Sequence, residues 1–427
     1  MKRYAEYKDS GVEWIGEIPV DWDRTKLKNL LATPITDGPH ETPEILDEGI
    51  PFLSAEAVKN LKLNFDLKRG YISQNEHERF CLKCKPQRGD IFMIKSGATT
   101  GNIAMVETDE EFSVWSPLAL IRCNENKIDR YYMFLFLQSF IFRRQVKLFW
   151  SYGTQQNIGM GVLGNLFVAY PDVETQRRIA DYLDRRTSAI DTLIADKLRL
   201  IDLLREKRQS LISEAVTKGL DPTAAMRDSG VEWIGEIPMG WEVKRLKFAV
   251  FLRNIKSADM SLQYIGLENV ESATGALQYN EAAETEEDMK QANLFYTNDV
   301  MFGKLRPYLR KAFVAEFNGQ CSGELLVFEP KIYTSKYLLY MVLSHGFINW
   351  VDSSTYGSKM PRASWDFIGN METPVPTPQE QQQIADYLDT KTAAIDTLIS
   401  DITTQIDKLK EYRQSVISEA VTGKVEV

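Results

Sequence analysis

The chain has 427 residues, of which 44% are hydrophobic and 26% are charged, and its formal net charge is −9. This composition predicts a folded protein of several domains and excludes a long disordered chain. The negative net charge argues weakly against a protein whose whole surface binds nucleic acid. The chain contains no run of 18 apolar residues, so the sequence predicts no membrane span.

A large internal repeat begins in the N-terminal part of the chain. Its first nine residues lack the apolar region of a signal peptide, so we expect a cytoplasmic protein. Directly after them, the run from Asp9 to Pro19 recurs without change from Asp228 to Pro238, and Trp22 and Trp241 follow at the same spacing. The chain is therefore built from two half-molecules in the same order.

Each repeated frame encloses a globular insert, and the two inserts match only in outline. Short runs rich in apolar and β-branched residues predict strands, and longer amphipathic stretches predict helices. The predicted strands cover residues 91–94, 103–106, 118–122, 300–302, 312–315 and 325–328, and the predicted helices cover residues 131–149 and 337–351. An identical frame around divergent inserts indicates one shared task for the frame and a different task for each insert.

Two long helices are predicted at a constant offset of 205 residues, over about 174–218 and 379–422. In the second helix Leu388, Ile395 and Ile402 are spaced seven apart, which is the apolar stripe of a coiled coil. A long stripe favours a long partner, so we expect the two helices to pair. The alternative is that each helix packs on its own domain.

Both helices carry signals at their ends. Thr377 and Asp172 stand where an N-cap is expected, and Gly219 and Gly423 stand where a helix should end. In a two-fold arrangement the second helix should end near the first repeated motif at Asp9. We therefore expect the two ends of the chain to meet.

Signatures of catalysis and of metal binding are weak. The run Gly159 to Gly164 has the Gly-x-Gly-x-x-Gly spacing, but the preceding residues are polar and turn-like where a nucleotide site needs a strand. Cys81 and Cys84 form a lone Cys-x-x-Cys, and the other two cysteines and the three histidines are scattered. We expect no cofactor, no metal and no catalytic residue in this chain.

Polar and basic loops at matching positions of the two halves are the candidate binding residues. Lysine and arginine suit phosphates and guanine edges, and glutamine and asparagine suit adenine edges. For any single residue, an ordinary solvated loop remains the alternative. The predicted DNA-binding residues are Lys95, Ser96, Thr99, Thr100, Asn102, Gln155, Gln156 and Asn157 in the first half, and Lys304, Arg306, Tyr308, Arg310, Lys311, Ser358, Lys359 and Arg362 in the second half.

The whole chain resembles the specificity subunit of type I DNA restriction–modification systems. The resemblance rests on the duplicated Trp-Ile-Gly-Glu-Ile-Pro segment, the Gly-Asp-Ile-Phe-Met run that begins at Gly89, the Gly-Thr-Gln-Gln-Asn-Ile loop that begins at Gly153, and the Pro-Thr-Pro-Gln-Glu-Gln junction that begins at Pro376. The first junction departs from this pattern, because Thr175 stands where Glu380 stands in the second. We expect the change to alter helix capping and not the fold.

The resemblance implies an α/β (α+β) protein with two target-recognition domains, at 1–171 and 221–376, and two conserved long helices, at 172–220 and 377–427. The helices would form an antiparallel coiled coil that sets the spacing between two half-sites. Each domain would read one half of a bipartite, asymmetric site in double-stranded DNA.

The resemblance also implies partners. The chain would be non-catalytic and would dock two methyltransferase subunits, which use S-adenosylmethionine to methylate adenine at N6, together with restriction subunits that translocate and cleave DNA. S-adenosylmethionine, ATP and magnesium are expected only in those partners. Two other hypotheses remain: a coiled-coil protein scaffold without DNA contact, and a self-contained methyltransferase that uses the glycine run at 159–164.

Overall fold

The computed structural model describes residues 2–152, 155–257, 261–278, 292–357 and 359–427. The chain divides into two compact units, of which unit 1 comprises Met1–Asp196 and Thr404–Val427 and unit 2 comprises Lys197–Thr403. Each unit therefore contains one insert and a segment of both long helices. These units cut across the four predicted segments, and the predicted domain boundaries stay a prediction.

Unit 1 contains short strands and one end of each long helix. Its strands are β1 (Tyr7–Asp9), β2 (Glu17–Pro19), β3 (Asp23–Lys26), β4 (Thr36–Asp37), β5 (Ile50–Leu53), β6 (Val58–Lys59), β7 (Lys62–Leu63), β8 (Gly70–Ile72), β9 (Ile91–Ile94), β10 (Ile103–Met105), β11 (Ser113–Val114), β12 (Leu118–Ile121), β13 (Ser151–Tyr152), β14 (Gln156–Asn157) and β15 (Phe167–Tyr170). Its helices are α1 (Gln74–Cys81), α2 (Arg130–Gln138), α3 (Phe140–Phe149), α4 (Met160–Gly164) and the start of α5 (Val173–Lys218).

Unit 2 repeats this plan. Its strands are β16 (Met226–Asp228), β17 (Glu236–Pro238), β18 (Glu242–Arg245), β19 (Val250–Arg253), β20 (Tyr264–Ile265), β21 (Asn293–Phe295), β22 (Val300–Gly303), β23 (Ala312–Val314), β24 (Gly319–Cys321), β25 (Leu325–Pro330) and β26 (Glu372–Val375). Its helices are α6 (Leu246–Ala249), α7 (Ser335–Leu343), α8 (His345–Ser353), α9 (Trp365–Ile368) and the start of α10 (Pro378–Val421).

A sheet between two cores forms the centre of each unit. In the described part of unit 1 the larger sheet has the order β4-β12-β9-β10-β7-β6, and a smaller sheet has the order β11-β5-β8. In the described part of unit 2 the corresponding orders are β19-β25-β22-β23 and β20-β24-β21. Strand β9 pairs antiparallel with both β10 and β12, as β22 does with β23 and β25.

The central strands are buried on both faces, which explains their continuous apolar sequence. Ile91 and Met93 point into a core shared with the helices, while Phe92 and Ile94 point into a core shared with the smaller sheet. In unit 2 Val300 and Phe302 face the helices, and Met301 faces the smaller sheet. The strands predicted from the sequence are confirmed.

The stretches predicted to be helical, 131–149 and 337–351, are confirmed as helical, and each consists of two helices separated by one serine. Ser139 has an extended backbone (φ −60, ψ 149) and is the N-cap of α3. Its hydroxyl oxygen accepts a hydrogen bond from the Phe142 amide at 3.2 Å. Ser344 (φ −64, ψ 150) breaks the second helix at the equivalent place. The apolar periodicity continues through each serine and conceals the break.

The long helices are confirmed as continuous elements, α5 and α10. Leu388, Ile395 and Ile402 of the predicted stripe are buried. In unit 1 Asp191 accepts from Arg413 Nε at 2.8 Å, and in unit 2 Asp396 accepts from Arg208 Nε at 3.0 Å. From Asp191 to Arg208 the residue number rises along α5, while the number of the paired α10 residue falls from 413 to 396. This is the order that antiparallel helices require.

The helix starts differ as the sequence predicts. Thr377 and Glu380 form a reciprocal capping box, with Glu380 N to Thr377 Oγ1 at 3.3 Å and Thr377 N to Glu380 Oε2 at 3.0 Å. At the start of α5, Asp172 Oδ1 alone accepts the amide of Thr175, at 3.0 Å. Glu380 also accepts from Trp241 Nε1 at 3.0 Å. The threonine therefore changes the cap and leaves the helix intact.

Buried polar contacts join each long helix to an insert, at positions that repeat at the 205-residue offset. In unit 1 Tyr132 donates its hydroxyl to Val421 O at 2.9 Å, and in unit 2 Tyr337 donates to Val216 O at 2.9 Å. A buried hydroxyl needs such a partner. The two tyrosines therefore fix the C-terminal ends of α10 and α5 on equivalent helices, α2 and α7.

The two ends of the described chain lie together in unit 1. Tyr7 donates its hydroxyl to Lys424 O at 3.3 Å, and Glu426 N donates to Lys2 O at 2.9 Å. The side chains of Lys2 and Glu426 form an ion pair at 2.8 Å. The prediction that the second helix ends beside the first repeated motif is confirmed.

Across the residues that the structure describes, none of the helices combines the length and the apolar character that a membrane crossing requires.

Candidate nucleic-acid interface

The two polar loops of the first half are joined in unit 1, and we call residues 95–102 with residues 155–157 the first loop pair. Gly97 N donates to Gln156 O at 3.0 Å, and Ile158 N donates to Lys95 O at 2.8 Å. Gly97 (φ +104) and Gly101 (φ +92) give the first loop its tight turn between β9 and β10. Residues that are more than fifty positions apart thus form one surface.

The side chains of the first loop pair differ in exposure. The exposed predicted residues are Thr99, Asn102, Gln155 and Asn157, and the half-buried ones are Ser96, Thr100 and Gln156. Thr100 donates its hydroxyl to Gly97 O at 2.7 Å, so it closes the turn. The exposed members present amide and hydroxyl groups, which can donate to and accept from base edges.

Lys95 has a different environment, because it faces the buried carboxylate of Asp37. Its side chain is only 13% exposed, and its Nζ lies 3.1 Å from Asp37 Oδ2. Lys83 and His40 also face this carboxylate, His40 with its Nε2 at 3.2 Å. Burial raises the pKa of Asp37, but the hydrogen bonds and charges of Lys83 and Lys95 outweigh burial and lower the pKa below its usual value.

The two loops of the second half are joined in the same way, and we call residues 304–311 with residues 357 and 359–362 the second loop pair. Arg306 N donates to Pro361 O at 2.7 Å, and Ala363 N donates to Lys304 O at 2.9 Å. Ser358, a predicted DNA-binding residue, lies outside the described residues. The repeat therefore brings equivalent loops together in both units.

Several basic residues of the second loop pair are bound to the protein itself. Arg310 bonds to Gln209 and to His345 Nδ1, the latter at 2.9 Å, and burial lowers the pKa of its guanidinium. Lys311 Nζ donates to Leu267 O at 2.6 Å. Arg306, Tyr308 and Lys359 are the predicted residues whose side chains are exposed here, and Lys304 is half-buried.

Arg362 lies against a carboxylate, as Lys95 does. Its Nε and Nη2 donate to Glu324 Oε2 and Oε1, both at 3.1 Å. The hydrogen bond and the charge of Glu324 raise the pKa of the Arg362 guanidinium. The bidentate pair holds the plane of the guanidinium while leaving it 39% exposed.

Sequence reasoning did not identify the acidic and basic residues that face these surfaces from other elements. Asp37, Glu324, Lys83 and His40 belong to none of the motifs that predicted the binding loops. Asp37 lies on β4 next to β12, and Lys83 follows α1, so only the folded chain brings them together. No local sequence signal identifies such a pairing.

The other candidate chemistry has a structural place. The glycine run at 159–164 forms the one-turn helix α4, which follows the β13–β14 hairpin. Cys81 Sγ lies 3.5 Å from His77 Nε2, and burial raises the pKa of the Cys81 thiol. No group of three or more histidine, cysteine, aspartate or glutamate residues in the described part of the chain could hold a metal ion.

Comparison with known proteins identifies the family. The family model described as the type I restriction modification DNA specificity domain matches residues 19–201 and 240–408. The chain belongs to this family. One match lies in each half of the repeat, so both halves contain a segment that fits the specificity-domain model.

Named relatives of this specificity-domain chain include three specificity subunits. The putative type I restriction enzyme MjaX specificity subunit of Methanocaldococcus jannaschii is 30% identical over 236 residues, which are 54% of this chain and 53% of that protein. The EcoDI specificity subunit of Escherichia coli is 22% identical over 63% of this chain and 64% of its own length. The MjaVIII specificity subunit of M. jannaschii is 22% identical over 96% and 94%. The chain thus spans less than two thirds of the first two relatives.

Solved structures give the same fold. A chain from a structure that concerns complex assembly and conformational transition of the type I R-M system has a TM-score of 0.69 and 15% identity, with 95% of this chain and 98% of that chain covered. The HsdS subunit of Thermoanaerobacter tengcongensis has a TM-score of 0.50 and 16% identity, with the same coverage. The predicted fold class, α and β elements in two inserts with two long antiparallel helices, is confirmed.

Proposed function

We propose that the chain is the DNA sequence-specificity subunit of a type I restriction–modification complex. The first loop pair reads one half of a bipartite, asymmetric site in double-stranded DNA, and the second loop pair reads the other half. The chain performs no catalysis itself. Specificity arises because the two loop pairs present different side chains from the same backbone arrangement.

One observation carries this proposal. In both units a loop between two central strands is joined by backbone hydrogen bonds to a loop that follows a helix, through Gly97 N to Gln156 O in unit 1 and Arg306 N to Pro361 O in unit 2. The exposed side chains are mainly amides and hydroxyls in the first pair and basic or aromatic in the second. Constant backbone with varied side chains is what two readers of different sequences require. Membership of the DNA specificity family supports the same role.

We further propose that the repeated frame docks two methyltransferase subunits, and that restriction subunits join them. The equivalent tyrosine contacts at Val421 and Val216 support two equivalent surfaces. S-adenosylmethionine, ATP and magnesium belong to those partners. Partner subunits also supply much of the phosphate contact, because this chain has a net charge of −9 and several of its basic loop residues are paired internally.

The test is single-molecule sequencing of genomic DNA from cells that carry this chain with its methyltransferase subunit. We expect N6-methyladenine in one asymmetric motif with two short half-sites and a fixed gap. The signal should disappear when this chain is deleted, and exchange of one insert should change one half-site alone.

Other outcomes separate the competing hypotheses. Methylation that persists without this chain, together with the absence of salt-dependent DNA binding by the chain, would establish a protein scaffold, since phosphate contacts give a steep salt dependence. Binding of S-adenosylmethionine by the isolated chain, abolished by Gly161→Trp, would establish a self-contained methyltransferase.

A further inference from the structure

The loop at residues 304–311 is held by its own basic residues. Arg306 donates its guanidinium to Lys359 O at 3.3 Å, and Arg310 bonds to Gln209 of α5 and to His345 of α8. Lys311 donates to Leu267 O at 2.6 Å. These side chains, which the sequence predicts as DNA contacts, connect the loop to the body of unit 2.

The backbone of this loop is fixed in an unfavourable conformation. Arg306 and Arg310 both have φ +51, a left-handed conformation that non-glycine residues rarely adopt. Between these two arginines lies a single 3-10 turn, Pro307–Leu309. Tyr308 is its middle residue, and Pro307 is buried. Strained residues persist where the surrounding structure holds them, and they concentrate at functional sites.

This anchoring presents a tyrosine to solvent. The Tyr308 side chain is 52% exposed, and its hydroxyl has no hydrogen-bond partner in the described part of the chain. On the adjoining loop Tyr356 is 67% exposed and Met360 is 48% exposed. The equivalent of Tyr308 in the first loop pair, at the offset of 209 residues, is Thr99. The second loop pair therefore presents a flat apolar ring where the first presents a hydroxyl.

Charge around the ring favours a nucleic acid as its partner. The sequence from Lys304 to Lys311 contains four basic residues and no acidic residue. The carboxylate next to this loop, Glu324, is neutralised by Arg362. A ring in a positive surface matches the arrangement of proteins that stack bases on aromatic side chains beside phosphate contacts.

We propose that Tyr308 inserts its ring at a base step of the second half-site and stacks on a base that the insertion exposes, with Tyr356 as a second apolar contact. This inference rests on the proposed function and specifies its mechanism in unit 2. Part of the second half-site is then read through the ease of opening that step, not through hydrogen bonds to base edges. Pyrimidine–purine steps open most easily, so the second half-site contains such a step at the position of Tyr308.

The test uses the complex of the full chain with its methyltransferase subunits and a duplex that carries its target. 2-Aminopurine, which fluoresces more strongly when it is unstacked, replaces one base at a time in the second half-site. The methylated adenine is left out, because methyltransferases extrude their target base. Variants Tyr308→Ala, Tyr308→Phe and, as the matched control in the other unit, Thr99→Ala are compared with the unchanged chain.

We expect increased fluorescence at one step of the second half-site. Tyr308→Ala should abolish it and weaken binding of the target about 10- to 100-fold. Tyr308→Phe should retain both, and Thr99→Ala should leave the fluorescence unchanged. For the two Tyr308 variants, unchanged discrimination at the first half-site and an unchanged melting temperature show that the complex is folded. For Thr99→Ala, which changes the first loop pair, the melting temperature alone is the folding control.

Two results would overturn the inference. If Tyr308→Ala keeps the fluorescence change and the affinity, the ring makes no contact with an opened step. If Tyr308→Phe loses affinity as Tyr308→Ala does, the hydroxyl reads a base edge and stacking is not the mechanism. Failure of the proposed function looks different, since the unchanged complex would then bind its target no better than an unrelated duplex.

Discussion

At the scale of single residues, both loop pairs combine a basic side chain with an acidic one. Asp37 faces Lys95, and Glu324 faces Arg362. An unpaired lysine or arginine loses much conformational freedom when it contacts DNA, and a fixed side chain has less to lose. Under the proposed function the acids would therefore orient the cations in advance, and they would also limit non-specific attraction to phosphates.

The buried carboxylate of unit 1 predicts a pH-dependent stability. Asp37→Asn should lower the free energy of unfolding at pH 7 by about 3 kcal/mol, because Lys95 loses its buried counter-charge. The pKa of Asp37 is lowered in the folded protein, so its stabilisation is present above about pH 4 and is lost as the pH falls through the folded pKa. Urea unfolding between about pH 7 and about pH 2 should show the variant and the unchanged chain converging in acid.

The matched control for this prediction is Asp109→Asn. Asp109 pairs with Arg88 at 2.8 Å on the surface, and both side chains are more than half exposed. Such pairs contribute less than about 1 kcal/mol. A difference for Asp37→Asn that stays constant down to the lowest pH would contradict the expected linkage.

Arg362 is held in plane by Glu324 and remains partly exposed, so under the proposed function it can make a bidentate base contact. Arg362→Ala should weaken discrimination at one base pair of the second half-site by about 1–3 kcal/mol. The measurement is competition between duplexes that differ at single positions. The control is Arg205→Ala, on the exposed face of α5 in unit 2. An equal loss on all sequences would make Arg362 a phosphate contact.

At the scale of elements, buried polar side chains attach the long helices to the inserts. Gln381 accepts from Thr334 N at 2.7 Å and donates to Pro376 O at 3.1 Å, and Gln176 makes the equivalent bonds to Asp129 N at 2.7 Å and Pro171 O at 2.8 Å. These bonds satisfy backbone groups that water cannot reach. They explain why a glutamine stands at this place in both junctions, which the sequence pattern alone does not.

Gln381→Leu should therefore destabilise unit 2 by about 3 kcal/mol, since the amide of Thr334 and the carbonyl of Pro376 would be left buried without partners. The neighbouring Gln382→Leu is the matched control, because the Gln382 side chain is exposed and, among the residues that the structure describes, bonds only to Asp386. Thermal unfolding measures both. If both variants lost a similar amount of stability, the loss would come from leucine at this place in the helix and not from the hydrogen bonds of Gln381.

At the scale of the whole molecule, the repeat produces two equivalent junctions between the end of a long helix and a repeated motif. One junction is covalent and the other is not. Gly219 ends α5 with φ +72, and a Cβ there would lie 3.6 Å from Pro238. Gly423 ends α10 with φ +70, and a Cβ there would lie 2.3 Å from Pro19. In unit 2 the helix continues through a short loop into the repeated motif, whereas in unit 1 the same neighbours meet through contacts alone.

This equivalence predicts that a circular permutant will fold. A chain in which residue 427 is joined to residue 2 by a short linker and which is opened between Pro222 and Thr223 should retain its unfolding temperature and its target preference, because the opening lies in an exposed loop. Opening the chain between Asp196 and Lys197, inside α5, should destabilise it. Equal stability of both permutants would contradict the structural importance of a continuous helix.

Features that repeat or are local could be predicted from the sequence. The duplication, the long helices with their buried seven-residue stripe, the caps at Asp172 and Thr377 and the central strands all depend on periodicity or on neighbouring residues. The break at Ser139 was missed because the apolar periodicity continues through it, although the Ser139 cap on Phe142 N is a local signal. The contact between Phe140 N and Ser418 Oγ, 278 residues away, is visible only in the fold.

The sequence by itself determined the family, the plan of two halves and the loops that carry the candidate site. Only the tertiary structure decided which of those loops meet and which of their side chains are available. In the sequence neither Lys95 nor Arg362 is near the acid that pairs with it. In the fold Asp37 lies beside Lys95 because β4 pairs with β12, and Glu324 lies beside Arg362 because the two loops of the second loop pair are in contact. Such pairings join residues 38 to 58 positions apart, and their energies depend on burial, which local sequence does not specify.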